Sequence, residues 1–208
     1  MRDVLQDRTI VLLGSWNMAI LNPGWIAKEL FEADGIEAEI AIAEGRTRLK
    51  YRHEDVSVNP QPSRVVVSAL SVSDECLQRT EAAAARLLEL LPITPVSAIG
   101  INFGYSQEQL PENIAKIFNT ADVALIGQHG LAIKQSNLVR HLTFEDRELR
   151  LRLTITEDLS LRVHLNYHKA VAHANEARDA ILEKAIVYRR KGEELLRAIY
   201  GLERENDE

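Results

Sequence analysis

The chain is short of the residues on which most site chemistry depends. It has one cysteine, Cys76, which excludes an internal disulfide framework and a multi-cysteine metal centre. No apolar run approaches the roughly 18–20 residues of a membrane span. The opening Met1-Arg-Asp-Val-Leu-Gln-Asp7 lacks the charged-then-apolar order of a secretory signal. There is no His-Glu-x-x-His motif, and Gly127-Gln-His129-Gly130 lacks the Gly-Lys-Ser/Thr ending of a phosphate loop. Gly14-Ser15-Trp16 follows an apolar run without being the G-x-S-x-G turn that presents a serine nucleophile. Carboxylates are abundant, yet none pair at a site-like spacing among apolar neighbours. The expectation is a cytoplasmic protein with no cofactor, no metal and no recognisable catalytic group.

Positive charge is also in deficit. Lys and Arg number 25 against 31 Asp and Glu, a formal net charge of −6, which argues against a general affinity for nucleic acid or anionic membrane. The sum hides the distribution, and the distribution is where the sequence is unusual.

What is present is an ordered series of elements. Thr9–Gly14 reads as a buried strand closed by glycine, and Asn22-Pro23 as an N-cap with proline at the first helical position. That helix runs to Asp34-Gly35. Glu37–Ala43, Arg46–His53, a short Val56–Val58 and Arg64–Leu70 read as strands, with Asn59-Pro60-Gln-Pro62 marking a turn or sheet edge. Ser71 or Ser73 caps a helix through about Leu91, which Pro92 and Pro95 stop. The order then begins again: strand Val96–Phe103, helix Pro111–Phe118, strands Leu131–Lys134, Leu138–Phe144, Glu148–Thr156 and Leu159–Tyr167, and a helix from near Asn175 to Leu202.

A short identity accompanies the repeated order. Pro23-Gly-Trp-Ile-Ala-Lys28 returns as Pro111-Glu-Asn-Ile-Ala-Lys116, and Ala33-Asp34 as Ala121-Asp122, an offset of 88 from 23 to 111. The expected architecture is α+β: two β-α-β4-α halves, 1–94 and 95–208, sharing one antiparallel sheet covered on one face by helices. This topology resembles the duplicated saddle fold of the TATA-box-binding protein. The apolar wedges that such a protein inserts between base steps have no counterpart here, and likeness of fold does not carry function.

Period-two alternation puts a basic set on one side of that sheet. In Arg46–His53 the alternate residues are Arg46, Arg48, Lys50 and Arg52; in the two strands after 147 they include Arg150, Arg152, Arg162 and His164. With helices on the other face this side is wet. It reads either as an anion-binding surface for an acidic protein or a nucleic acid, or as an ordinary solvated face. In the second case Glu37 or Glu39 would pair with the first basic row.

Aromatic residues are sparse, so Trp16 and Tyr105, each beside a glycine at the end of a repeated first strand, are singled out as contact residues or core packing. His164, His168 and His173 lie close in sequence, but residues four apart on a strand are roughly 13 Å apart. His129 belongs to a glycine-flanked turn. Cys76 reads as a small core residue or, near a helix N-terminus, as a thiol of lowered pKa. The acidic 203–208 reads as a solvated tail. Along the last helix Ala177, Ile181, Ala185, Tyr188, Gly192, Leu195, Ile199 and Leu202 form one stripe about 40 Å long. It packs on its own sheet, contacts another subunit, or does both, and at Gly192 either a neighbour approaches closely or the helix bends.

The function expected from all this is a non-catalytic, prokaryotic binding or scaffold subunit. It would engage a protein partner or itself, as a homo-oligomer, through the open sheet face or the last helix. Nucleic-acid binding by the basic face, and an enzyme with a site near His129 or His164, are the alternatives.

Overall fold

A computed structural model of the chain describes residues 1–43 and 46–205, without the side chains of 41–43 and 46–48. Among the described residues it is a mixed α+β fold with one open, ten-stranded antiparallel sheet and six helices. The strands are β1 (Arg2–Asp3), β2 (Thr9–Gly14), β3 (Glu37–Ala43), β4 (Arg46–His53), β5 (Val56–Gln61), β6 (Arg64–Ala69), β7 (Val96–Gln107), β8 (Gln135–Phe144), β9 (Arg147–Thr156) and β10 (Leu161–Ala170). The helices are α1 (Pro23–Trp25), continued by a π-helical turn (Ile26–Leu30), then α2 (Asp74–Leu90), α3 (Glu112–Phe118), α4 (Ala121–Gln128), α5 (Ala174–Ile181) and α6 (Ala185–Tyr200).

Strand order is β3-β4-β5-β6-β2-β7-β10-β9-β8, with β1 added on β7. The ladders turn sequence alternation into rows that cross the sheet. One row runs Ala38, Tyr51, Val58, Val67, Ile10, Ile101, Tyr167, Leu149, Leu142. It is apolar throughout and buried from Tyr51 to Leu149. The next residues along the same strands give Glu37, Arg52, Ser57, Ser68, Thr9, Asn102, Asn166, Arg150, His141, a row polar throughout. Burying the apolar row while its neighbour stays polar is what holds the register, because a slip of one residue would exchange them.

The helix layer is anchored by local chemistry. The Asn22 side chain accepts from the Trp25 N–H (3.0 Å) and the Ser73 hydroxyl from the Cys76 N–H (3.1 Å), as their positions before helices predict. His173 caps α5 through Nδ1, and Glu176 reaches back to the Ala172 N–H at 2.8 Å. Cys76 is buried, its thiol directed at the Asp55 carbonyl.

Several expectations are corrected. The last helix is two, broken at Leu182–Lys184, where Glu183 is left-handed with φ 61. The break is stabilised from outside: the Glu81 carboxylate of α2 accepts from the N–H groups of Glu183, Lys184 and Ala185 at 2.7–2.9 Å, supplying the acceptors that a helix start lacks. Leu131–Lys134 is not a strand; α4, which periodicity did not suggest, precedes it. The first helix ends at Leu30, ahead of Asp34-Gly35. Pro60 lies within β5, but β4 pairs with β5 only as far as Val58, so Asn59–Gln61 has a free edge where a missing N–H costs nothing. At Gly192 it is a neighbour that approaches: a Cβ there would sit 2.5 Å from Leu165 Cδ1.

The described part of the acidic tail is tied down. The Met1 ammonium donates to the Glu203 carbonyl at 2.6 Å, the Glu205 N–H donates to the Met1 carbonyl at 2.9 Å, and Arg2 pairs with Glu205 at 2.8 Å. Asp207 and Glu208 lie outside the described residues.

Candidate functional site

By register, Arg48, Lys50, Arg52, Arg150, Arg152, Arg162 and His164 all occupy positions on the open side of the sheet. The side chain of Arg48 lies outside the described residues. The set does not gather in one place. β4 and β9 are six steps apart in strand order, about 29 Å at the usual strand spacing of about 4.8 Å. Between them lie neutral positions such as Ser57, Ser68, Thr9 and Asn102.

Part of the charge is matched within the molecule. Arg52 Nη2 is 3.0 Å from Glu39 Oε2, a cross-strand pair of the kind expected of a solvated face. Arg150 Nε donates to Glu148 Oε1 at 2.6 Å, and His141 Nδ1 lies 2.5 Å from the same oxygen. These two neighbours, Arg150 first, hold the Glu148 carboxyl down at about 2. A depression of about 700 Å³ adjoins the cluster, lined in part by His141, Glu148, Arg150, His168 and Lys169. Its charges are tied to one another, with Lys169 Nζ 2.5 Å from Asp146.

Arg152 and Arg162 differ from Arg52 and Arg150. Both are exposed, and neither makes a hydrogen bond or ion pair with a described residue. His164 connects them: it stands opposite Arg152 across the β9–β10 ladder and two residues from Arg162 on β10. On its other side His164 faces Gly104 of β7. There the Leu5–Asp7 3₁₀ turn folds onto the open face, and Asp7 lies so close that a Cβ on Gly104 would be 2.5 Å from the Asp7 Cβ. His164 is half-buried. Burial pushes its imidazole below the ordinary value, Arg152 adds to the fall, and Asp7 opposes it.

Beside this corner the centre of the face is a closed amide network. Asn166 Nδ2 donates to Asn102 Oδ1 at 2.6 Å, and Asn102 Nδ2 donates to Thr9 Oγ1 at 3.1 Å. Gly100 leaves room for Asn166, whose Nδ2 would lie 2.8 Å from a Cβ there. The sequence carried this signal in Gly100-Ile-Asn102-Phe-Gly104, small or polar residues alternating with large apolar ones. Asp7 left no such trace, because its place depends on a turn with no regular period.

The aromatic pair is removed from the surface. Trp16 and Tyr105 are both buried. Trp16 Nε1 donates to the Leu12 carbonyl at 3.2 Å, and the Tyr105 hydroxyl points to Glu193 Oε1 at 3.3 Å on the helix side. Burial raises the Tyr105 pKa strongly. Tyr105 is a core residue because it lies within β7 on the helix-facing side of the alternation, and Trp16 because it follows closely on β2 and bonds back to it. His129 ends α4 beside Gly130, which has φ 71, and is exposed. His168 shares the open face with His164, while His173 is a helix cap. Among the described residues no three His, Cys, Asp or Glu side chains are placed to hold a metal ion, and no helix is long and apolar enough to cross a membrane. No family model matches the chain, and no curated protein is significantly similar to it in sequence.

Proposed function

We propose that this protein is a non-catalytic binding or scaffold subunit, and that its contact surface is the Arg152–Arg162–His164 corner of the open sheet face. The partner it suits is an acidic segment of polypeptide. The observation carrying this reading is the pair of exposed guanidinium groups without an acceptor among the described residues, next to Arg150, whose acceptor is supplied by its own strand. Planar guanidinium forks bind carboxylates bidentately. Small neighbours, Thr154 and Ser106 opposite Arg162, allow an extended segment to approach them.

The same proposal takes the chain as two related units in the arrangement of the TATA-box-binding protein. From the central β2–β7 pair the sheet runs outward as β6-β5-β4-β3 on one side and β10-β9-β8 on the other. Each side is built by a first strand in the centre and a last strand beside it. The second reading is nucleic-acid binding through the basic residues of the open face; the likeness of arrangement does not by itself carry it. The net charge of −6 and the wide neutral strip weigh against it.

One experiment separates the two. A fluorescein-labelled polyglutamate peptide and a labelled duplex oligonucleotide are titrated against the protein and against the Arg152→Glu/Arg162→Glu variant, at several salt concentrations. Binding of the peptide that weakens at least tenfold in the variant supports the proposal. Binding of the duplex alone, with a steep salt slope abolished by the same variant, moves the function to nucleic acid. Equal behaviour of wild type and variant towards both probes removes the corner as a site.

A further inference from the structure

We infer that residues 127–134 are a strap that closes on the outer edge of β8 as an eleventh strand, in the position that β3 holds beside β4. The inference rests on the two-unit arrangement just proposed, and not on the identity of the ligand.

Three observations converge. First, β8 is a ten-residue edge strand, paired among the described residues with β9 alone. It contains no proline or lysine, and the one charge that guards it is Arg140, on the helix side opposite Leu151. Its helix-side residues Leu138 and Leu142 are only half-buried. Second, among the described residues the segment before it is held only loosely. α4 is eight residues long, is largely apolar and buries no side chain; Leu125 is 55% exposed and Leu131 65%. A helix this short is unstable in water without tertiary packing.

Third, the register identifies the match. Ile10 faces Ile101 across the centre of the sheet, an offset of 91. If these two are equivalent, the ladders lead from Ile10 through Val67 and Val58 to Tyr51, and from Ile101 through Tyr167 and Leu149 to Leu142. The offset from Tyr51 to Leu142 is again 91. The same offset lays Leu131-Ala-Ile133 on Ile40-Ala-Ile42 of β3. Ile40 pairs with Leu49 in the β3–β4 ladder, so the corresponding contact is Leu131 with Arg140, which places Ile133 opposite Leu138. Both apolar residues of the strap then fall on the helix side, where β8 is under-covered. Closure unwinds the end of α4 at Gly127–Gln128, gives up the first two rungs of the β8–β9 ladder, at Gln135 and Ser136, and converts the rest of β8 from an edge into an interior strand.

The test uses the full chain with Leu131→Cys and Arg140→Cys in a Cys76→Ala background. Residues facing each other in an antiparallel pair have Cα atoms about 4.5–5.5 Å apart, within disulfide reach. Mild oxidation is expected to give an intramolecular disulfide in the monomer, and none with Leu125→Cys in place of Leu131→Cys. In the unmodified protein the outward amides of 137–144 are expected to exchange several-fold more slowly than those of a free edge, at any protein concentration. Absence of the crosslink together with fast exchange of those amides overturns the strap. So does protection that appears only at high concentration with a dimeric mass, which gives the edge to a second copy. Neither outcome alters the peptide titration of the Arg152→Glu/Arg162→Glu variant, so the two proposals fail separately.

Discussion

Gly104 and Asp7 set the electrostatics of the open face one side chain at a time. Glycine at 104 is required by the approach of Asp7, not by a turn, and that approach places a carboxylate beside His164. The contributions have opposite signs, so Asp7→Asn is expected to lower the His164 midpoint and Arg152→Ala to raise it, as read by NMR titration of the imidazole. The folded-state value lies below the ordinary 6.5, so the unfolded chain takes up this proton more readily. Stability from this group is therefore lost as pH falls through about 6.5. Glu148 titrates in a different window. Its folded value of about 2 lies below the ordinary 4.5, so its contribution is present above 4.5 and is lost between 4.5 and about 2. Arg150→Ala is expected to return the Glu148 midpoint towards 4.5 in a carbon-13 titration; an unmoved midpoint would show that the Arg150 contact does not persist in solution.

The helices are held by contacts that come from elsewhere in the chain. The start of α6 depends on Glu81, a residue about a hundred positions earlier that accepts three backbone N–H groups. Glu81→Ala is expected to cost about 2 kcal/mol, lowering the melting temperature by about 4–8 °C for a chain of this size, with the far-ultraviolet spectrum otherwise preserved. At Gly192 two effects compete. Alanine gains about 1 kcal/mol of helix propensity, but its Cβ would meet Leu165 Cδ1 at 2.5 Å and the Tyr167 hydroxyl at 2.9 Å. That hydroxyl donates to the Tyr188 carbonyl at 2.9 Å, so it cannot move freely. Overpacking of this kind costs about 1–3 kcal/mol, and Gly192→Ala is expected to lower the urea midpoint. A higher midpoint would mean that the helix shifts outward at no cost.

The whole molecule is closed by charges at its ends. Asp3, with its side chain 6% exposed, lies between the fully buried Arg8 at 3.1 Å and Arg204 at 2.6 Å. Arg204 also approaches Glu193 at 3.9 Å, so the chain start, the segment after α6 and α6 itself are joined in one network. Removing one partner from a buried pair leaves an uncompensated charge and costs about 3–5 kcal/mol. Asp3→Ala is expected to show a loss of that size in urea unfolding, and a loss under 1 kcal/mol would place Arg8 in contact with water. None of this was legible in the sequence, because Asp3, Glu193 and Arg204 share no period and meet only when the ends do. The strands were legible: Arg147–Thr156 and Leu161–Ala170 alternate so regularly that their two faces follow from residue order alone, and Asn22 and Ser73 announce the helices behind them. The break at Leu182–Lys184 was not, because the apolar stripe continues through it and only Glu81 reveals the new start. Alternation is a local property, so the sequence by itself determined which side of the sheet each arginine takes. Strand order is non-local, so only the tertiary structure decided that Lys50 and Arg52 stand far from Arg152 and Arg162, and that His164 is the residue with a carboxylate on one flank and a guanidinium on the other.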